Sequence, residues 1–409
     1  MEIQEQRIAK ALDGFRIEIP SWGFANTGTR FGKFHQPEAA TSLEEKFADA
    51  AQVHSLTGSC PTLALHVEWD LPNGRGDVPR IQALERQHGV RAGSVNPNLF
   101  ERQEYKFGSI CNPDPAVRRM ALDHLLDSVE IGKALRSRDV SLWLADGSNY
   151  PGTQSIRRRI DWMEEALSAT HAALSPEQRL LIEYKPFEPA FYHTDVADWG
   201  MALLLARHAG PQAVVLVDTG HHYQTQNIEQ IVVWLLREGV LGGFHFNDRR
   251  YADDDLTLGS IDPYQVFRIF HEILSFTENP AVQKREAPKA SGGQPADGQP
   301  AYMIDQSHNL KGKLEAMVQT VCAAQEIYAR AALVDRDELS ELQEACRLVE
   351  AEECLRRAFW TDVRPAVRAW RKEHGLPEDP LTALRESGYV ERIRAERGAR
   401  NAKAVSSYA

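Results

Sequence analysis

The sequence lacks the features that would place the protein in a membrane or on nucleic acid. No stretch approaches the ~20 consecutive apolar residues that a membrane span needs, and the segment Met1–Gly14 carries charges where a signal peptide would have an apolar core. Lysine and arginine (47) are outnumbered by aspartate and glutamate (58), which gives a formal net charge of −11. Because nucleic acids and anionic membranes attract basic proteins, neither is an expected partner. We expect a cytoplasmic protein.

Cysteine is scarce as well. The chain has five cysteines, and their spacing matches neither a zinc motif nor a disulfide framework. We expect reduced thiols without a catalytic role. They are Cys60, Cys111, Cys322, Cys346 and Cys354.

Short β-rich apolar runs alternate with longer amphipathic stretches, a pattern that predicts parallel strands joined by crossover helices. No glycine-rich phosphate loop follows any of these strands, which argues against an open nucleotide-binding sheet. Eight strand–helix repeats predict an α/β fold of the (β/α)8 type, a TIM barrel. The predicted strands are Phe15–Ile19, Thr62–Val67, Val90–Val95, Val140–Leu144, Leu180–Lys185, Val214–Asp218, Gly243–Asn247 and Ala301–Asp305.

Three segments follow from this pattern. Residues 1–14 are expected to form an N-terminal helix, and residues 15–333 the barrel, with a flexible excursion at 280–300 that is rich in proline and glycine. Residues 334–409 are expected to form a helical C-terminal extension, with helices over 342–357, 363–372 and 380–387. Because this extension has no strand of its own, we expect it to contact another subunit.

Ionisable residues end the last four predicted strands. In a (β/α)8 barrel these ends meet at one rim, where active sites lie. Clustered carboxylates repel one another, so a bound cation is their natural counter-charge. We therefore predict a metal site formed by Glu183, Asp218, His245 and Asp305.

Three further residues predict a second metal ion. His221 lies just beyond Asp218, and Asp253 and Asp255 would point the same way if their segment is extended. Mixed carboxylate and imidazole ligands without a thiolate favour Mn²⁺, Co²⁺ or Mg²⁺ over structural zinc. We expect two divalent ions, with Mn²⁺ preferred.

Lys185 should share a strand face with Glu183, because residues two apart point the same way. A lysine beside two ions can stabilise an oxyanion or donate a proton. Asp305 can relay a proton through bound water. We therefore expect Lys185, Asp305 and His221 to be the catalytic residues.

The first four strands end in aromatic and hydrogen-bonding groups, which suit a sugar: flat rings pack on its carbon faces, and polar groups bond its hydroxyls. The glycine-containing loop Gly23–Phe34 is suited to cover the site or to reach a neighbouring subunit. The predicted pocket residues are Trp22, His66, Trp69, Asn96 and Trp143.

Two hard ions, an inward lysine and a polyol pocket fit a reaction that binds adjacent oxygens and moves hydrogen between adjacent carbons. We therefore predict aldose–ketose isomerisation. Two alternatives remain open at this point. One is a related metal-dependent epimerase or phosphoester-cleaving barrel enzyme, and the other is a non-catalytic sugar-binding protein.

Nine motifs in the chain resemble those of the L-rhamnose isomerases, a family with a xylose isomerase-like barrel, and in particular its bacterial branch of broad substrate range. The resemblance covers most of the chain. The motifs are Pro20–Gly23, Thr29–Phe31, Leu65–Asp70, Asp146–Asn149, Glu188–Tyr192, Val217–His222, Gly242–Asp248, Asp253–Leu256 and Met303–Asn309.

The resemblance implies interconversion of L-rhamnose with L-rhamnulose, and also of D-allose with D-psicose, by a homotetramer. It implies structural-metal ligands at the four strand ends, and catalytic-metal ligands at His221, Asp253 and Asp255. It also implies pocket roles for Lys185 and the tryptophan and histidine residues above. Phe31 matches an aromatic residue that the family lends to an adjacent subunit, whereas Tyr184 stands where the family has histidine.

Overall fold

A computed structural model describes residues 2–29, 32–186, 192–278, 299–401 and 405–406. Eight parallel strands form one sheet in sequential order, and the sheet closes through a parallel bridge between Glu18 and Met303. The predicted (β/α)8 barrel is therefore confirmed. The strands are β1 Ile19–Pro20, β2 Thr62–His66, β3 Arg91–Asn96, β4 Asp139–Trp143, β5 Arg179–Glu183, β6 Ala213–Asp218, β7 Leu241–Phe246 and β8 Ala301–Ile304.

The first strand differs most from its prediction. The run Phe15–Ile19 was expected to form it, but β1 begins only at Ile19. The ring of Phe15 packs instead against Phe270, Tyr302 and Tyr328. The ring of Phe15 is thus buried by aromatic packing rather than in a strand ladder. The fifth strand was also predicted too long, since β5 ends at Glu183 and not at Lys185.

Side-chain caps explain where several helices begin. Asn227 accepts a hydrogen bond from the Gln230 amide, and Asp262, followed by Pro263, accepts one from Gln265. Both helices begin directly after the capping residue. The helices are α1 Glu2–Gly14, α2 Leu43–Thr57, α3 Val67–Asp70, α4 Val78–His88, α5 Pro115–Leu135, α6 Ile156–Ala172, α7 Trp199–Ala209, α8 Ile228–Arg237, α9 Pro263–Thr277 and α10 Lys313–Ala332.

Five more helices follow the barrel: α11 Arg336–Glu344, α12 Leu348–Phe359, α13 Arg364–Glu373, α14 Pro380–Glu386 and α15 Tyr389–Arg397. The single helix predicted over 342–357 is wrong, because the chain breaks at Cys346, which has a left-handed φ of 54°. The extension packs on its own barrel: Trp370 Nε1 donates to Asp13 of α1, and Arg371 donates to Gln325 of α10. Of the excursion predicted at 280–300, only residues 299 and 300 are described. Residues 280–298 lie outside the described ranges.

Buried side chains fill the barrel below its carboxyl rim. Leu181, Val214, Leu216 and Met303 form one apolar cluster, and the Glu18 carboxylate accepts hydrogen bonds from the amide and hydroxyl of Ser94. A packed interior leaves the rim as the place for a site. None of the helices in the described ranges combines the length and the apolar character that crossing a membrane requires.

Candidate metal and sugar site

The carboxyl ends of β5 to β8 bring four predicted ligands together. Glu183 ends β5, Asp218 ends β6, His245 lies in β7, and Asp305 directly follows β8. One potential ligand atom from each residue lies within 4.8 Å of those of the others. His245 Nδ1 is 3.3 Å from Glu183 Oε1 and 3.8 Å from Asp305 Oδ2. These four side chains therefore face a common point.

A second group shares one member with the first. Ligand atoms of Asp218, His221 and Asp253 also lie within 4.8 Å of one another. His221 Nε2 is 3.3 Å from Asp253 Oδ2 and 3.9 Å from Asp218 Oδ2. Asp218 can therefore bridge two neighbouring points of positive charge.

The loop after β6 fixes the orientation of Asp218. Its Oδ1 accepts hydrogen bonds from the Gly220 amide at 2.6 Å and from Asn247 Nδ2 at 3.0 Å. The other oxygen, Oδ2, is buried and has no hydrogen-bond partner among the described residues. A Cβ at residue 220 would lie 2.5 Å from Asp253 Oδ1, so only glycine lets this backbone pass between the two carboxylates. Asp218 thus presents one oxygen to both groups.

His221 is oriented by a main-chain contact. Its Nδ1 lies 2.9 Å from the carbonyl oxygen of Tyr184. Because a carbonyl oxygen only accepts, Nδ1 donates to it, and Nε2 is the nitrogen that faces Asp218 and Asp253. Metal-binding histidines are commonly held this way.

Asp255 reaches the site by a route that differs from the prediction. The segment Asp253–Asp255 was expected to be extended, but Asp255 has a left-handed φ of 45°. Its carboxyl group nevertheless lines the same cavity as Asp253. Burial raises its pKa well above the usual range, and the carboxylates of Asp253, Asp305 and Asp218 raise it further.

The pKa values of the other charged groups in the site depend on burial and on one another. Burial acts to lower the pKa values of His221 and His245, but the surrounding carboxylates raise them to about 9 and about 10. Burial raises the pKa of Asp218 to about 7; the neighbouring His221 acts to lower this pKa, and Asp253 and Glu183 act to raise it. Burial likewise raises the pKa of Asp305. Without a cation, this cluster therefore holds protons to limit its negative charge.

These observations fit divalent metal ions. The cluster offers carboxylate and imidazole ligands, and the buried Asp218 Oδ2 and His245 Nε2 have no hydrogen-bond partner within the described ranges. Two adjacent ligand groups share a carboxylate, and a bound cation would supply the counter-charge that the carboxylates lack. The residues that would hold such ions are Glu183, Asp218, His221, His245, Asp253, Asp255 and Asp305, which we call the ligand cluster.

Lys185 lies between the ligand cluster and an aromatic ring. Its Nζ is 2.5 Å from Asp253 Oδ2 and 5.5 Å from the centroid of the Trp143 ring. Burial acts to lower its pKa, but Asp253 raises the pKa above the usual lysine range, so the ammonium group stays charged. The ammonium and the imidazole of His221 together overcome the effect of burial on Asp253 and lower its pKa.

Five rings form a continuous surface opposite the ligand cluster, with neighbouring centroids 4.0 to 6.0 Å apart. Burial lowers the pKa of His66 to about 4, so its imidazole is neutral. Trp22 joins this surface to the ligand cluster, because its Nε1 donates to Asp305 Oδ1 at 2.7 Å. We call this surface the aromatic wall; it consists of Trp22, His66, Trp69, Phe100 and Trp143.

Asp70 holds one end of the aromatic wall. Its carboxylate accepts hydrogen bonds from Ser21 Oγ and from the His66 amide, and it pairs with Lys46 Nζ. Ser21 precedes Trp22, and Trp69 precedes Asp70. One buried carboxylate therefore positions the backbone beside three rings of the wall.

The ligand cluster and the aromatic wall enclose a cavity of about 240 Å³. All predicted site residues within the described ranges line it except Asp218, which is buried just below. Phe31 lies outside the described residues. Asn96 lines the cavity as predicted, while its Nδ2 donates to the Leu65 carbonyl.

The sequence did not single out several lining residues. Ser141 lies two residues before Trp143 on β4, and a strand period of two could have identified it. Its buried hydroxyl has no hydrogen-bond partner among the described residues. Phe100 follows β3 at a distance that no periodicity predicts, because it lies in an irregular loop. The others are Pro97 and Ser307.

A third acidic group, at Cys111, Asp146 and Asp195, has protein partners. Asp146 accepts hydrogen bonds from the amides of Ser109 and Cys111, and Asp195 forms an ion pair with the buried guanidinium of Arg159 at 2.6 Å. This group connects loops and differs from the ligand cluster in having its carboxylates satisfied.

Residues 55–274 match the family described as xylose isomerase-like TIM barrel. A probable sugar isomerase of Rhizobium meliloti is 39% identical over 390 residues, which cover 94% of this chain and 87% of the relative. Another, from Mesorhizobium japonicum, is 38% identical over 96% of this chain and 88% of its own length. Among solved structures, a D-allulose 3-epimerase from Methylomonas sp. aligns with a TM-score of 0.52 at 13% identity, covering 75% of this chain and 95% of that one.

Proposed function

We propose, from the premise that the chain belongs to the xylose isomerase-like TIM barrel family, that it is a metal-dependent aldose–ketose isomerase acting on L-rhamnose. L-Rhamnulose would be the product, and D-allose and D-psicose a second substrate pair. The observation that carries this proposal is a ligand cluster whose two groups share the carboxylate of Asp218 and whose other members face the aromatic wall across one cavity.

Two divalent ions bound at the ligand cluster would hold and polarise adjacent substrate oxygens. Two side chains of the protein would stabilise negative charge on the substrate and transfer protons. The ammonium group of Lys185 would stabilise negative charge on a substrate oxygen or donate a proton to it. The Asp305 carboxylate, oriented by Trp22, would accept or relay a proton.

The aromatic wall suits the remainder of a sugar. Its rings offer flat apolar surfaces for the carbon faces, and neutral His66 offers a hydrogen-bonding nitrogen to a hydroxyl group. The buried Ser141 hydroxyl and Trp143 Nε1, which have no partners among the described residues, are further hydrogen-bonding groups beside the cavity. A water-poor pocket of this kind also limits side reactions.

The test is a sugar panel with metal-stripped protein. L-Rhamnose, D-allose, L-mannose and L-lyxose are incubated with no metal, Mn²⁺, Co²⁺ or Mg²⁺, and ketose formation is followed. We expect conversion of L-rhamnose, greatest with Mn²⁺ and lost without metal. For the Asp253→Asn/Asp255→Asn double variant described below, the matched control is Asp254→Asn. Asp254 lies in the same loop, but its carboxylate accepts hydrogen bonds from the amides of Arg250 and Tyr251. The proposal is wrong if no aldose yields ketose with any of the three ions.

The same assay, extended to the ketoses D-psicose and L-rhamnulose, separates the alternatives. A metal-dependent epimerase would convert D-psicose or L-rhamnulose into an epimeric ketose without forming aldose. A non-catalytic sugar-binding protein would retain its sugar affinity in the Asp253→Asn/Asp255→Asn double variant after metal removal. An isomerase would lose both metal binding and turnover in that variant.

We also propose that the protein is a cytoplasmic homotetramer. The C-terminal extension exposes Leu348, Val349 and Trp360, each at least 70% accessible, and apolar side chains this exposed suit a subunit contact. Light scattering after size-exclusion chromatography measures the assembly, and a monomeric mass would refute this proposal.

A further inference from the structure

The C-terminal segment of the chain lies against the loop that follows β1. This loop, described at residues 25–29 and 32–40, is here called the first rim loop. Asn401 Nδ2 donates to the carbonyl oxygens of Pro37 and Ala39 at 3.1 and 3.0 Å, and its Oδ1 accepts from Asn26 Nδ2 at 2.9 Å. Asn401 is only 4% exposed. One buried side chain therefore contacts both the outgoing and the returning limb of the loop.

The two limbs are also joined directly. Asn26 Oδ1 accepts a hydrogen bond from the Gln36 amide at 2.7 Å, and Thr27–Thr29 pairs with Gly32–Phe34 in an antiparallel hairpin. Residues Val405–Ser406 add a third strand to this hairpin, with Val405 opposite Lys33. The C-terminal segment thus binds the first rim loop through a side chain and through a strand.

A buried ion pair fixes the C-terminal segment itself. Arg397 donates to both oxygens of Asp49 on α2, at 2.7 and 3.0 Å, and to the Glu38 carbonyl at 2.8 Å. Tyr389 donates to the same carboxylate at 2.9 Å. Because breaking a buried pair leaves an uncompensated charge, this attachment is costly to release.

The first rim loop connects in turn to the ligand cluster. Gln36 Nε2 donates to the carbonyl oxygens of Asn309 and Lys311, which lie in the loop after β8 that begins at Asp305. Just before the first rim loop, Trp22 donates to Asp305. Asn401 therefore contacts the first rim loop directly, and through Gln36 of that loop it is connected to the loop after β8 that begins at Asp305.

We propose that Asn401 is a positioning residue for the active site: with Arg397 and residues 405–406, it holds the first rim loop so that Trp22 and the loop after β8 keep Asp305 in place. The C-terminal extension would then act on catalysis within its own chain. The catalytic part of this inference rests on the proposed function, whereas the order of the loop does not.

The test compares Asn401→Ala with the wild-type chain and with Trp370→Phe. The control substitution removes the hydrogen bond from the same extension to Asp13 of α1, on the side away from the loop. Three quantities are measured: the rate of trypsin cleavage after Lys33 without substrate, kcat and KM for the sugar, and the Kd for Mn²⁺. Mass spectrometry identifies the cleavage product.

For Asn401→Ala we expect cleavage after Lys33 to accelerate by on the order of tenfold, because the loop loses three hydrogen bonds and its third strand loosens. We expect kcat/KM to fall by about tenfold, since small misplacements of reacting groups are expensive. The Kd for Mn²⁺ should rise, because Asp305 is also a member of the ligand cluster, but by less than the fall in kcat/KM, as no ligand is removed. Trp370→Phe should leave the cleavage rate and the kinetics unchanged.

Asn26→Ala removes the partner of Asn401 from the opposite limb and serves if Asn401→Ala does not fold. Where both single variants fold, the double variant should be no worse than the more impaired single variant, because both substitutions break one network. Unchanged cleavage and unchanged kcat/KM in the single variants would overturn the inference, as would faster cleavage with unaltered kinetics. A wild-type protein that converts no sugar would instead refute the proposed function, while the cleavage rates would still decide whether Asn401 orders the loop.

Discussion

The two halves of the barrel rim carry opposite kinds of side chain. Strands β5 to β8 and their loops supply five carboxylates, two histidines and a lysine, whereas strands β1 to β4 and their loops supply the aromatic wall. In the first half, Asp70 and Asp146 point away from the cavity to protein partners. In the second half, Asp218 Oδ2 is buried without a hydrogen-bond partner among the described residues. The difference shows that charge is concentrated on the side where ions would bind, and that the other side stays neutral to receive a sugar.

The largest expected effect comes from the residue that both ligand groups share. Asp218→Asn keeps the shape of the side chain but removes the negative charge, so we expect loss of both ions and a fall in kcat/KM on the order of 10³-fold. Metal content by mass spectrometry and sugar turnover measure this. The matched Asp254→Asn variant should bind two ions, and a fully metallated Asp218→Asn variant would contradict the comparison.

The second effect concerns pH. In the metal-free protein the pKa values of His221 and His245 are raised to about 9 and about 10, so both imidazoles are protonated at pH 7. A metal ion needs the neutral form, and binding at pH 7 should therefore release at least two protons. Because each ligand group contains one of these histidines, the affinity for each ion should rise by about 10-fold per pH unit between pH 6 and 8, and the product of the two binding constants by about 100-fold. Calorimetric titration in buffers of different ionisation enthalpy measures the release, and an enthalpy independent of the buffer would argue against it.

A third substitution separates catalysis from metal binding in the charged half. Lys185→Met retains the length of the side chain without its charge, so we expect kcat to fall by about 10²-fold. Metal affinity should be kept or increased, because Asp253 loses its ion-pair partner. Steady-state kinetics and metal titration check both expectations, with the exposed Lys10→Met on α1 as control. Equal losses of turnover and metal binding would show that Lys185 acts through the ligands instead.

The smallest effect is expected in the neutral half. Phe100→Leu removes a ring between Trp69 and Trp143, and we expect KM for the sugar to rise about fivefold with kcat and metal content unchanged. The exposed Phe107 provides the control Phe107→Leu. If Phe100→Leu lowered metal occupancy, the two halves of the rim would not be independent.

Local sequence signals predicted most of the barrel, because each strand is a short apolar run and several helices carry their own cap, as at Asn227 and Asp262. They failed where burial depends on distant parts of the chain. Phe15 reads as a strand residue, but its ring is buried by Tyr302 and Tyr328, which no local pattern contains. The break at Cys346 likewise has no glycine or proline to mark it.

The residues of the candidate site, like the barrel, could be predicted only where the sequence carries a local signal. Ligands at the ends of strands could be located because parallel strands end at one rim. Phe100 could not, since it lies in an irregular loop, and the bend at Asp255 was missed because an aspartate with positive φ has no sequence signature of its own. The hydrogen bond from Trp22 to Asp305 joins opposite ends of the barrel sequence and is visible only in the folded chain.

Closure of the barrel also bears on the order of folding. Glu18 near the start of the chain pairs with Met303 near the end of the barrel, and the first rim loop receives Asn401 from later still. During synthesis, the early strands therefore gain their last neighbours only after most of the chain has been made. Contacts of such large sequence separation also form slowly. Until then the edge of β1 is open to pairing with other chains, so nascent chains stalled before residue 301 should be those that most need a chaperone.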